Sequence, residues 1–163
     1  MVKPVTCLIL ATGSRRYGEQ LTIRRTFLRQ LATWDVLPAE VGLITGGASG
    51  ADTIADEEGR ALGLWVVQPM LPDWPTCVTE CTPYHRKLRY DGTTYCPTAG
   101  HHRNQAMVDR VVRFLAGGTG RRAACCVFRS VGVSHGTDNC TDLAQAAGIP
   151  LVWGTKEMVT HGR

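Results

Sequence analysis

The stretch Val41-Gly42-Leu43-Ile44-Thr45-Gly46-Gly47-Ala48-Ser49-Gly50-Ala51-Asp52 decides the fold of this chain. Four apolar residues feed a glycine-rich turn, and a helical pattern follows over residues 53–62. A strand that enters a glycine turn and leaves as a helix is a common way to hold a phosphate. Glycine lets the backbone approach the ligand, and the N–H groups at the helix start supply donors and positive potential. The turn is neither a Walker P-loop nor a true G-x-G-x-x-G. Read alone, it fits a ligand cradle and a plain strand–helix turn equally well.

A second copy of the pattern lies upstream. An apolar run over residues 5–10 ends in Ala11-Thr12-Gly13-Ser14-Arg15-Arg16, and helical spacing follows at Leu21, Ile23, Phe27, Leu28 and Leu31. The Ser14 hydroxyl can donate to a phosphate, and the Arg15 guanidinium can clamp one with two bonds. Two such turns on neighbouring parallel strands meet at the carboxyl edge of one sheet, where ligands of open α/β sheets bind. Further along, the sequence predicts a strand at 64–68, a long loop from 70 to about 100, a helix at 103–110 and a strand at 111–115. A second loop to about 135, a helix at 138–147 and a strand at 150–153 complete the pattern. Strands alternating with helices predict an α/β, Rossmann-like domain: a mostly parallel sheet flanked by helices, carrying a Cys/His-rich loop insertion.

The chain has 163 residues, a length that suits one domain with a real core. Its hydrophobic share of 44% and charged share of 20% are ordinary for a globular protein. A formal charge of +4 suits an anionic ligand but is too small and too dispersed to argue for nucleic acid by itself, which leaves nucleic acid a less favoured partner that is not excluded. No apolar run reaches membrane-spanning length, and residues 1–4 lead straight into a strand pattern without a signal peptide. The expected location is the cytoplasm, with no membrane partner.

Seven cysteines in a cytosolic chain call for something other than disulfides. Cys7, inside a strand pattern, reads as a small buried hydrophobe. Cys77, Cys81, His85 and Cys96 form C-x3-C-x3-H-x10-C in a polar stretch with few apolar residues of its own. Three thiolates and one imidazole are a common structural zinc set, and a metal would give such a segment the stability that burial cannot. His101 or His102 can stand in for His85. Arg86, Lys87 and Arg89 beside Tyr90 form a small basic-aromatic patch. A second group, Cys125, Cys126, His135 and Cys140, is a weaker metal candidate, because adjacent cysteines on a strand point to opposite faces.

Four motifs, Thr12-Gly13-Ser14-Arg15, Gly46-Gly47-Ala48-Ser49-Gly50-Ala51-Asp52, Asp73-Trp74 and Arg103-Asn104-Gln105-Ala106-Met107-Val108-Asp109, occur in the order and rough spacing of one family. From about residue 5 to residue 153 the chain resembles the YspA/YpsA-related branch of the SLOG superfamily. That Rossmann-like group of nucleotide-ligand proteins also includes the LOG phosphoribohydrolases and the DNA-processing protein of natural transformation. The resemblance implies one nucleotide-binding domain over 1–163, with insertions at 76–99 and 119–135. It implies one nucleotide-sized pocket lined by Gly13, Ser14, Arg15, Gly46, Gly47, Arg103, Asn104, Gly136 and Thr137; Ser49, Gly50 and Asp52 complete the glycine turn. The family's closing Gly-Thr turn matches Gly136-Thr137, with Gly118-Thr119 as the rival alignment.

LOG enzymes carry a glutamate just after that turn, needed to cleave the N-glycosidic bond. Here Asp138-Asn139-Cys140-Thr141-Asp142 follows, with no glutamate. The expected function is therefore binding of a nucleotide or nucleotide-derived small molecule, for sensing or sequestration. The alternatives are a phosphoribohydrolase-like enzyme acting on a nucleoside monophosphate and a single-stranded DNA binder. The resemblance also implies a homodimer or higher homo-oligomer.

Overall fold

The computed structural model describes residues 4–155. Five strands form one sheet: β1 (Cys7–Gly13), β2 (Val41–Ile44), β3 (Trp65–Val66), β6 (Arg122–Phe128) and β7 (Leu151–Trp153). Their order is β3-β2-β1-β6-β7, and every pairing is parallel. Both edge strands are only two or three residues long, which limits edge-to-edge pairing. β1 is central and apolar, covered on both faces as parallel strands require. Helices α1 (Gln20–Trp34) and α2 (Ala51–Leu62) cover one face. Ile23, Phe27, Leu31 and Trp34, at helical spacing, pack there with Ile9, Leu43, Cys126 and Phe128. Helices α3 (Ala99–Ala116) and α4 (His135–Ala146) cover the other face. Met107, Val108, Val111, Cys140 and Ala144 pack there with Leu10, Ile44, Cys125 and Val127.

The α/β fold with its mostly parallel sheet is the one the sequence predicts, but three elements differ. Residues 111–115 are the last turns of α3, not a strand. The β-branched pair Val111-Val112 imitates a strand, yet Met107, Val108, Val111 and Phe114 continue a helical stripe. The expected loop before residue 135 contains β6, which pairs with β1 over seven residues. Between Arg122 and Arg129 no polar residue interrupts it, as expected of a strand buried on both faces. Finally, α4 begins at His135 rather than 138, so Gly136 and Thr137 lie in its first turn. The long loop after β3 holds only a two-stranded antiparallel hairpin, β4 (Lys87–Leu88) with β5 (Thr94–Tyr95).

Candidate functional site at the carboxyl edge

The chain leaves β1 toward β2 and β3, then crosses back to place β6 on β1's other side. The carboxyl ends of β1 and β6 therefore diverge, and this reversal of strand order is where open α/β sheets form a ligand crevice. A crevice of about 390 Å³ lies there, lined by Arg16, Tyr17, Gly18 and Glu19 after β1, by Arg129, Ser130 and Val131 after β6, and by Gly154 after β7. Its size suits a small ligand. The Tyr17 ring packs on Phe128 with centroids 5.7 Å apart and fixes the floor. Arg16 is exposed, and Arg129 forms an ion pair with Asp138 at 2.9 Å.

Ser14 is built into the framework of the turns. It is buried, and its Oγ accepts the Ser130 N–H at 3.0 Å. Its carbonyl accepts from Tyr17 and from Ala51, the first residue of α2. Ser14 thus ties together the turns after β1 and β6 and the start of α2. Gly50, at φ +76°, lies so close that a Cβ would strike the carbonyls of Ser14 and Arg15. Arg15 stays exposed above this junction.

The turn after β2 is built around Asp52. Its Oδ2 accepts both the Gly46 N–H at 3.0 Å and the Ala48 N–H at 3.3 Å. Burial pushes the Asp52 carboxyl up to about 6, against the opposing pull of the Ala48 N–H, the Arg103 charge and the Gly46 N–H. Arg103, from α3, donates through Nη1 to the carbonyls of Gly46 and Met70 and through Nε to Asn104. Its guanidinium is therefore a latch joining α3, the glycine turn and the entry of the long loop. The carboxylates of Asp109 and Glu58 are engaged elsewhere: Asp109 accepts from Gln105, and Glu58 accepts from Gln20 and Arg24. Buried Asn104 carries the connection onward through Nδ2 to the Gly136 carbonyl and to Asn139, both at 3.0 Å. Burial disfavours the charged form of Arg103, the Asp52 carboxylate opposes that, and the Arg15 charge adds a smaller push in the same direction as burial.

The residues singled out in the sequence therefore gather at one edge, but in two zones. Ser14, Gly46, Asp52, Arg103, Asn104 and Gly136 form the inner framework. The open crevice is lined largely by others: Tyr17, Arg129, Ser130 and Gly154. Reading residues 119–135 as a loop hid Arg129 and Ser130. The signal was nonetheless present, because Ala123-Ala124-Cys125-Cys126-Val127-Phe128 followed by Arg129-Ser130 echoes β1 followed by its own Ser-Arg turn.

The long loop brings Cys77, Cys81, His85 and Cys96 together with all four ligand atoms within 4.8 Å of one another, so the cluster could hold a metal ion. Its surroundings suit that chemistry. His85 Nδ1 lies 2.7 Å from the Thr82 carbonyl; donating there, it turns Nε2 toward the sulfurs. Each thiol has its own donor nearby: Arg86 Nη1 at 3.3 Å for Cys77, Thr98 Oγ1 at 3.3 Å for Cys96 and His102 Nε2 at 3.6 Å for Cys81. The Thr98 hydroxyl leads the groups that hold the Cys96 thiol down at about 6. That favours the Cys96 thiolate, the form that binds metal, whereas the Cys77 thiol, despite the pull of Arg86, is raised by burial and by the neighbouring Cys96. Tyr84, immediately before the imidazole ligand, sits at φ +64°.

Cys125, Cys126, His135 and Cys140 do not gather. Cys125 and Cys140 lie in the core under α3 and α4, Cys126 faces the opposite core, and His135 is exposed. Burial raises all three thiols.

No family model matches the chain, and no curated protein matches it significantly. Among solved structures, the chain is similar to DNA processing protein A from Helicobacter pylori, whose structure was described for a unique single-stranded DNA binding mode. The TM-score is 0.54 at 15% identity, covering 95% of this chain and 68% of that one. It is also similar to DNA processing protein A from Streptococcus pneumoniae, with a TM-score of 0.39 at 14% identity, covering 88% of this chain and 57% of that one. The Helicobacter likeness shows a shared fold. Among the described residues no helix is long and apolar enough to cross a membrane.

Proposed function

We propose that this chain binds a nucleotide or nucleotide-derived small molecule at the carboxyl edge of its sheet, as a SLOG-type domain of the YspA/YpsA-related kind. One observation carries the reading: the crevice at the reversal of strand order, lined by Arg16 and Arg129 on either side of Tyr17. Guanidinium groups around a crevice whose floor is aromatic suit a phosphate and a base or ribose. Gly13, Ser14, Gly46, Gly47, Ser49, Gly50, Asp52, Arg103, Asn104, Gly136 and Thr137 shape the edge from beneath and beside it. Binding is favoured over glycosidic cleavage. Asp138, where the LOG glutamate would be sought, is engaged by Arg129, and Asp142 is exposed on the outer side of α4.

A thermal-shift screen of nucleoside monophosphates, cyclic nucleotides and ADP-ribose derivatives tests the reading, since a ligand bound only by the folded state raises the Tm. Arg16→Ala and Arg129→Ala should each weaken a hit by about 1.5–3 kcal/mol, the range for a hydrogen bond to a charged group. Hits that bind both variants as they bind the wild type would place the ligand elsewhere. Release of free base from a nucleoside monophosphate would revive the hydrolase reading.

The likeness to the Helicobacter protein supports a second reading, single-stranded DNA binding at the same edge. A steep fall in affinity with salt would favour it over a small-molecule site.

We also propose that Cys77, Cys81, His85 and Cys96 hold one structural zinc ion. Three thiolates and one imidazole make a closed tetrahedral set, so zinc here would supply architecture. Elemental analysis of reduced protein purified without added metal should find about one zinc per chain, lost in Cys77→Ser/Cys81→Ser. Zinc-free folded protein would refute the assignment.

A further inference from the structure

The structure assigns His102 as the link between the metal cluster and the ligand edge: a positioning residue outside the four ligands, through which metal occupancy holds the glycine turn in place. This rests on the zinc reading above.

His102 lies on the first turn of α3, with Nε2 3.6 Å from Cys81 Sγ and 3.0 Å from Thr98 Oγ1. Thr98 Oγ1 in turn lies 3.3 Å from Cys96 Sγ. With two thiolates on a metal, the consistent arrangement is one-directional. His102 presents Nε2–H to Cys81 and to the Thr98 oxygen, and the Thr98 hydroxyl gives its own hydrogen to Cys96. Arg86 meets Cys77 in the same manner. A tri-thiolate zinc centre carries net negative charge, and three outer donors, one per sulfur, spread it.

Arg86 and His102 nevertheless do different work. The Arg86 guanidinium also holds the Pro75 and Thr94 carbonyls and stays within the loop. His102 is bonded along α3 to Arg103, whose guanidinium joins the Gly46 and Met70 carbonyls. Met70 donates to the Thr45 carbonyl, and Gly46 donates to Asp52. Met70 opens the long loop, and Cys96 closes it through its carbonyl bond from Ala99, the first residue of α3. Both ends of the loop and the glycine turn therefore meet at one turn of helix, between residues 99 and 103. A metal that fixes Cys81 and Cys96 fixes His102, and with it the Arg103 latch.

The test uses the zinc-loaded chain with three variants and two readouts that need no ligand. Chelator competition measures zinc affinity, and amide hydrogen exchange follows residues 46–52. His102→Ala should weaken zinc binding by about 10–100-fold, the usual cost of losing an outer-shell partner, and should speed exchange at 46–52. His102→Gln, whose amide can present an N–H at the Nε2 position, should restore both. Arg86→Ala should weaken zinc comparably and leave exchange at 46–52 near wild type. Wild-type affinity and exchange in His102→Ala would overturn the assignment. So would X-ray absorption showing two imidazoles on the metal, which would make His102 a ligand. Absence of zinc from the wild-type chain would instead refute the metal reading itself.

Discussion

Replacing Asp52 by asparagine separates the cost of its charge from the value of its hydrogen bonds. Both backbone donors, Gly46 N–H and Ala48 N–H, reach the same oxygen, Oδ2. An asparagine can accept both through its one carbonyl oxygen, so the turn keeps its frame. What disappears is a buried carboxylate raised from 3.8 to about 6. At 1.36 kcal/mol per pH unit, that gap corresponds to about 3 kcal/mol. The folded state holds this proton more tightly than the unfolded chain. Between pH 4 and pH 6 the native protein therefore binds more protons, and stability falls as pH rises through that window. Above pH 6 the loss is complete. Urea unfolding of wild type and Asp52→Asn from pH 4 to pH 7.5 isolates the effect, because the histidines and other carboxylates cancel in the difference. The variant's advantage should be smallest near pH 4 and should grow by about 3 kcal/mol up to pH 7, a ceiling set by the size of the pKa gap. A difference that stays flat, or that shrinks with rising pH, would show that Asp52 is not a buried, charge-disfavoured group.

Gly50→Ala places a Cβ against the Ser14 and Arg15 carbonyls at φ +76°; a destabilisation of about 1–3 kcal/mol is expected from backbone strain alone, and an unchanged melting curve would mean that the two turns do not pack together. Gly46→Ala puts its Cβ onto the Arg103 guanidinium, so amide exchange at Met70 and residues 46–52 should accelerate even where the Tm changes little. Arg103→Ala leaves the Gly46 and Met70 carbonyls without their donor and should cost about 1–3 kcal/mol of stability; urea midpoints decide. In a thiol-reagent titration, a chelator should release the half-buried Cys77 and Cys81 to reaction and, as the loop loosens, Cys96, which the folded loop buries, while the core cysteines Cys7, Cys125, Cys126 and Cys140 stay protected until the chain unfolds. Seven fast thiols in the folded, chelated protein would contradict the core assignments.

By itself the sequence determined the βαβ frame from residue 5 to 66 and the two glycine turns, because hydrophobic period and glycine placement are local properties. It also exposed the four-residue Cys/His set, since ligand chemistry depends on residue type and approximate spacing more than on surroundings. Only the tertiary structure decided the rest. Val111 to Leu115 carries strand-forming residues, and its helical state is fixed by packing of Met107, Val108 and Val111 on the sheet. β6 is recognisable only as the partner of β1, through seven residues of register. Arg103 enters the sequence reading only as a pocket-lining residue implied by the resemblance; its contacts with carbonyls 57 and 33 residues away are visible only in three dimensions. His102 joins metal cluster and glycine turn for the same reason: long-range hydrogen bonds are chosen by the packing of whole elements, and no local pattern encodes their partners.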